Sequence, residues 1–213
     1  MKLYGYFRSS AAYRVRIALN LKGLTPEHVS VHLRKGAQAE PPFAALNPQK
    51  LVPVLETDDG APLTQSLAII EYLEEVHPHP TLLPADAPGR ARVRAIALTI
   101  ACDIHPLNNL RVLKHLGREL ELDEEARNAW YRHWIAEGFA ALEAMLANDP
   151  RTGRYCHGDQ PTLADVCLVP QVYNAERFDC DLTPYPTLVR LAAAARALPA
   201  FADAAPERQP DAE

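Results

Sequence analysis

Arg8-Ser9-Ser10-Ala11-Ala12-Tyr13-Arg14-Val15-Arg16 gathers hydroxyls and cations near the start of the chain. The pair of serines falls where a strand-like run hands over to a helical one. There the unpaired N–H groups and positive dipole of a helix N-terminus meet hydroxyl donors, which suits an anion. A thiolate held at such a turn ionises below the free-thiol value of about 8.5. The competing reading is an ordinary N-cap, a role serine often fills. Neither serine has a sequence-evident His/Asp arrangement, so an acylated nucleophile is not expected. Gln65-Ser66 repeats the pattern at a second strand-to-helix turn, again as anion site or cap. Two such turns on one small sheet could grip both ends of a short acidic peptide.

Other segments add polar chemistry. Val52-Pro53 precedes a strand, where proline avoids removing a central ladder bond, and from spacing alone its peptide bond is expected trans more often than cis. Cys102 to Arg111 sets ionisable and amide groups, His105, Asn108, Asn109 and Arg111 among them, midway through an Ala/Leu-rich helical stretch that Pro106 should kink or unwind. Asp103 and His105, two apart, point to different helix faces, so no metal site is expected. Thr162 and Asp165 have capping-box spacing. Arg177 closes the same helix, where it can complement the dipole or hold an anionic ligand.

These residues need a scaffold, and the first 80 or so residues alternate strand and helix signals. Lys2 to Phe7 reads as a strand and Ser10 to Lys22 as a helix closed by Gly23. Glu27 to Leu33 alternates like a half-buried strand, and a short helix around Pro42 to Leu46 follows. Val52 to Glu56 and Ala61 to Thr64 flank Asp58-Asp59-Gly60, a hairpin signal, and Ser66 opens a helix ending before Pro78. A parallel βαβ unit beside an antiparallel hairpin matches the thioredoxin fold. His77 to Pro88, with four prolines, reads as a linker. Beyond it Arg90 to Leu116, Asp123 to Leu146, Thr162 to Ala175 and Thr187 to Ala197 carry helical periodicity, followed by a frayed tail. The expected organisation is therefore an α/β N-terminal thioredoxin-like domain over 1–83 and an all-α domain over 89–213, with 84–88 in the linker.

Charge narrows the function classes. The 213 residues carry 22 Lys+Arg against 27 Asp+Glu, a net charge of −5, so the broad basic field that nucleic acid requires is missing. The charge is uneven, with Lys2, Arg8, Arg14, Arg16 and Lys22 preceding the first acid, Glu27. An acid-poor start of this kind has features of a transit peptide, but it begins at once with a strand and continues into the same domain. No apolar run approaches the ~20 residues of a membrane span, so a cytoplasmic, membrane-free protein is the expectation. Cys102, Cys156, Cys167 and Cys180 form no CxxC pair and read as reduced, mostly buried residues.

Together these segments resemble the zeta class of glutathione transferases, the maleylacetoacetate and maleylpyruvate isomerases. The resemblance rests on Ser9-Ser10 before Arg14-Val15-Arg16-Ile17-Ala18-Leu19, Ala45-Leu46-Asn47-Pro48, Val52-Pro53, Gln65-Ser66 through Glu75, Leu168 to Val172, Glu176-Arg177-Phe178 and Asp181 to Pro186. It covers essentially the whole chain, and the doubled serine and the 168–178 segment are its most specific parts. It implies a homodimer that binds glutathione and a small dicarboxylate. Ser9, Ser10, Ala11 and Arg14 would surround the sulfur, with Gln38 and Val52 beside the peptide backbone and Val52-Pro53 as a cis turn. Gln65 and Ser66 would take the γ-glutamyl end, and His105, Asn109 and Arg111 would extend from the helical domain. Arg14 and Arg16 are also open to anchoring the first helix. Ala11 departs from the family, where many members have a cysteine just after the paired serines.

The implied reaction is cis-trans isomerisation through reversible thiolate addition, with Ser9 or Ser10 donating to the thiolate and Arg8, Arg111 and Arg177 clamping carboxylates. Maleylacetoacetate is the leading substrate and maleylpyruvate the runner-up. A general conjugating transferase and a non-catalytic binding protein on the same fold are the other readings.

Overall fold

Strand β1 (Lys2–Gly5) lies inside a four-stranded sheet of order β2-β1-β3-β4 in the computed structural model, which describes residues 1–213. It pairs in parallel with β2 (Glu27–Ser30), Gly5 opposite Ser30, and antiparallel with β3 (Val54–Glu56), Tyr4 opposite Val54. Strand β4 (Pro62–Thr64) runs antiparallel to β3, Thr64 opposite Val54. The ends of β1, β2 and β4 and the start of β3 therefore share one end of the sheet. Every connection that carries a proposed ligand residue in this unit leaves from that end.

Helix α1 (Ser10–Leu21) follows β1 and ends at Gly23, whose φ of 68° is the left-handed conformation that glycine adopts without a steric penalty. Its buried face includes Ala12, Val15, Ala18 and Leu19. The second strand stops at Ser30 rather than at Leu33, because His32 caps a 3-10 turn over Leu33–Lys35. Val31 still donates to the Gly5 carbonyl at 2.7 Å. Helix α2 (Pro41–Leu46) starts on prolines, which fit the first helical turn, and α3 (Ser66–Val76) follows β4. A core of Tyr6, Phe7, Val31, Phe43, Val52 and Val54 ties the β1–α1 turn, α2 and the start of β3 together.

The chain forms two compact units, Met1–Thr81 with Ala197–Glu213, and Leu82–Arg196. Assignment of the closing segment to the first unit departs from the sequence-based division into 1–83 and 89–213. Nor is that segment frayed. Phe201, in α9 (Pro199–Ala202), is fully buried, and three α1 side chains donate to the carbonyls around it: Tyr13 to Phe201, Arg16 to Ala204 and Asn20 to Ala200. Contacts so distant in sequence leave no local periodicity to read.

The second unit is helical. Helix α4 (Ala87–Leu98) passes into a π-helical turn over Thr99–Ile104 and a 3-10 turn over His105–Asn108 before α5 (Leu110–Arg118). Pro106 therefore breaks the continuous 90–116 stretch into separate helices. Gly138, in α6 (Glu124–Ala147), makes room for this break, since a Cβ there would lie 2.3 Å from Ile104. Helices α7 (Leu163–Arg177) and α8 (Pro186–Arg196) complete the unit. The capping box forms as expected, and the buried Asp165 carboxylate accepts from the Thr162 N–H, the Thr162 hydroxyl and the Cys156 N–H at 2.8, 3.0 and 2.8 Å. No helix is long and apolar enough to cross a membrane.

Removing that carboxylate loses a cap and leaves buried donors without a partner. Asp165→Ala is expected to destabilise the fold by about 3 kcal/mol, measured by denaturant unfolding.

Candidate functional site

Two helix N-termini meet at the shared end of the sheet. At the first, Ser9 caps α1, its Oγ accepting from the Ala12 N–H at 3.2 Å while its own proton remains available to donate. Ser10 is the first helical residue and is buried, with half-buried Ala11 behind it. The capping reading of the doubled serine thus holds for Ser9, and it does not compete with the anion reading. At the second, Ser66 opens α3 after Gln65. Arg14, only 1% exposed, reaches from α1 to the Ser66 hydroxyl at 3.4 Å and couples the two turns. A guanidinium placed between two positive dipole ends makes this region favourable only to negative charge.

Gln65 holds φ 67° and ψ 118°, a backbone conformation that a residue with a Cβ rarely adopts. Its exposed side chain donates to Gln49 Oε1 at 2.8 Å. Gln49 is set by buried Asn47, whose Oδ1 accepts from the Gln49 N–H and whose amide donates to the Leu51 carbonyl. Next in the chain, the Val52-Pro53 peptide is cis, as the resemblance implies. Gln38 follows β2 in the 3-10 turn Ala37–Ala39, and its Oε1 is buried without a hydrogen-bond partner. A buried acceptor without a partner is uncommon, and the N–H of a bound peptide would satisfy it.

Of the early cations, Arg8 alone combines partial exposure with a place beside the serines. Its guanidinium lies 4.9 Å from the Phe7 ring and donates to the Tyr6 hydroxyl at 3.3 Å. Arg16 is buried, donating to the Phe7 and Ala204 carbonyls. Lys22 is buried against Glu74 and the His77 and Pro80 carbonyls. Lys2 pairs with Glu56 at 3.4 Å.

In the second unit, His105 opens the 3-10 turn and Asn109 caps α5, its Oδ1 accepting from the Arg111 N–H at 3.1 Å. The turn is fixed to α6 by Trp130, which donates to the Leu107 carbonyl, and by Asn108, which donates to the Tyr131 carbonyl. The Tyr131 ring stacks on Phe178 at 3.6 Å, and the exposed Arg177 guanidinium lies 4.8 Å from the Phe178 ring. His105, Asn109 and Arg177 thus belong to one contact chain, although 72 residues separate His105 from Arg177.

The cysteines only partly follow the sequence reading, since Cys156 and Cys167 are buried, Cys180 is half-buried and Cys102 is exposed. Burial pushes the Cys156 thiol up, and that of Cys180 up to about 11, leaving both un-ionised near neutrality. Four site neighbours escaped the sequence reading: Tyr6, His32, Asp211 and Glu213. Only long-range folding brings the last two to the β1–α1 turn.

The N-terminal domain of glutathione S-transferase matches residues 8–76, and its C-terminal domain matches residues 124–207. A probable maleylacetoacetate isomerase of Vibrio cholerae is 58% identical over 212 residues, covering 99% of this chain and 97% of the relative. The holo structure of a maleyl pyruvate isomerase, a bacterial zeta-class glutathione S-transferase, superposes with a TM-score of 0.98 at 55% identity and full coverage of both chains. A maleylacetoacetate isomerase of Anaeromyxobacter dehalogenans, with dicarboxyethyl glutathione and citrate bound in its active site, has a TM-score of 0.87 at 48% identity. The alignment covers all of this chain and 97% of that one.

The Gln65 backbone exchanges local stability for side-chain placement. Gln65→Gly should leave stability unchanged or raise it by up to about 1 kcal/mol, since glycine relieves the positive φ. Thermal unfolding measures the change.

Proposed function

The chain belongs to the glutathione S-transferase family, and from that premise we propose that it is a glutathione-dependent cis-trans isomerase converting maleylacetoacetate to fumarylacetoacetate in tyrosine and phenylalanine breakdown. The observation that carries this reading is the pair of helix N-termini, Ser9-Ser10 and Gln65-Ser66, bridged by Arg14 at one end of the sheet. Glutathione is a peptide with a thiol at its centre and a carboxylate at each end, so it matches two anion-ready turns and an unpartnered Gln38 acceptor.

When bound, glutathione supplies a thiolate whose reversible addition to the conjugated cis double bond leaves a single bond free to rotate before elimination. The chain's task is electrostatic. Ser9 donates its free hydroxyl proton at the sulfur position, with Ser10 and the first-turn N–H groups of α1 beside it. Ser66 and the first-turn N–H groups of α3 hold the γ-glutamyl carboxylate, Gln65 fixes its amine, and Val52 and Gln38 meet the peptide groups. Arg8 is the first unit's cation for the substrate carboxylates and the negative charge that develops on the carbonyl oxygen, and the resemblance alone supports Arg177 as a further carboxylate-binding residue. For His105, Asn109 and Arg111 a glutathione-binding role is supported by the resemblance alone. The unreactive Cys156 and Cys180 thiols and the alanine at position 11 agree with sulfur supplied by the ligand.

The two-carboxylate glutathione derivative in the Anaeromyxobacter relative has the form that thiol addition to a maleyl double bond produces. Maleylpyruvate is the second reading for the substrate, favoured by the holo maleyl pyruvate isomerase structure. A cytoplasmic homodimer completes the proposal on family grounds.

Assays with each of the two maleyl substrates, with and without glutathione, test the proposal. Turnover should be faster with maleylacetoacetate and should require glutathione without consuming it. Full activity without glutathione, or stoichiometric loss of the thiol, contradicts it. Arg177→Ala should raise KM for dicarboxylate substrates about tenfold and leave uncharged electrophiles unaffected. Equal losses on both would make Arg177 structural.

A further inference from the structure

The segment after α9 reaches the β1–α1 turn at Phe7, two residues before Ser9. Asp211 Oδ2 accepts from the Phe7 N–H and from the Ser30 hydroxyl, both at 3.1 Å. Phe7 lies just past the last β1–β2 pairing, Gly5 with Ser30, where the ladder no longer supplies a partner for its amide. Phe7 is 5% exposed, and Asp211 is the partner of its N–H. The Phe7 carbonyl is held as well, by Arg16 Nη2 at 2.9 Å, and Arg16 Nε holds Ala204 at the base of the same segment. The Phe7 N–H is thus held by the closing segment and its carbonyl by Arg16 of α1, which itself bonds that segment.

Two residues farther on, Glu213 engages His32, whose ring lies 5.4 Å from the Tyr6 ring. The Tyr6 hydroxyl accepts from Arg8, and the Tyr6 carbonyl accepts from the Ser9 N–H at 2.9 Å. Asp211 therefore holds the turn directly at Phe7, while Glu213, which also pairs with Arg34, reaches it only through His32 and the Tyr6 ring.

We propose that Asp211 is a positioning residue for the thiolate-binding turn, fixing Phe7 so that Arg8 and Ser9 are presented in a reactive arrangement. The inference rests on the isomerase reading above. The bond is charge-assisted, and a misplaced catalytic group loses rate out of proportion to the displacement. Loss of Asp211 should therefore affect the chemical step more than substrate binding.

The test compares Asp211→Ala and Asp211→Asn in the full chain. Asp211→Ala should lower kcat about tenfold with KM for the maleyl substrate nearly unchanged, and should move the ionisation of bound glutathione, followed by its thiolate absorbance, back toward the free thiol. In the ligand-free protein the Phe7 amide should exchange its hydrogen about tenfold faster. Asp211→Asn keeps an acceptor without charge, so about half the bond energy and a loss of about threefold are expected. If the alanine variant does not fold, the asparagine variant decides by the same readouts. Either variant, folded, with unsubstituted kcat and unsubstituted glutathione ionisation overturns the inference, as does a loss confined to stability. Failure of the isomerase reading is a different result, since the unsubstituted protein would then show no glutathione-dependent turnover.

Discussion

The first N–H groups of an α-helix have no partner within the helix, and this fold brings two such ends to one end of a single sheet. The parallel β1–β2 pair and the antiparallel β3–β4 hairpin fix that arrangement, because they send the ends of β1 and β4 in the same direction. Two positive dipole ends brought together repel each other and favour an anion. A ligand negative at more than one point turns this electrostatic cost into binding. The Asn47 loop, the Gln65 backbone and the Gln38 acceptor are arranged around the same requirement.

The early cations take on a different meaning in the folded chain. The acid-free first 26 residues look like a positively charged surface, yet Arg14, Arg16 and Lys22 are buried and bonded within the unit. Each bonds across elements instead of lying on the surface, so these three hold elements together. Arg14 joins the two N-terminal turns, Arg16 joins β1 to the closing segment, and Lys22 joins α1 to the end of α3. Arg8 is left half-buried beside the serines as the local positive group that can meet a ligand.

Much of this was legible in the sequence because it depends on local signals. Strand alternation, the Gly23 stop, the Asp58-Asp59-Gly60 hairpin and the Thr162–Asp165 box each show within a few residues, and the doubled serine marks the α1 turn. Features set by packing were not legible. The π-helical turn at Thr99–Ile104 depends on a glycine more than 30 residues away in α6, and Tyr131 reaches Phe178 only when α6 meets α7. The final residues read as a frayed tail because composition cannot show that Asp211 finds an amide 204 residues earlier.

The central claim is that the two helix N-termini grip one glutathione molecule, sulfur at the first and γ-glutamyl carboxylate at the second. A crystal structure of the complex measures this directly. The account predicts the sulfur within hydrogen-bonding distance of the Ser9 or Ser10 hydroxyl and the γ-glutamyl carboxylate on the Ser66 N–H and hydroxyl. Glutathione bound with its sulfur away from both serines, or with its γ-glutamyl end away from Gln65 and Ser66, would contradict it.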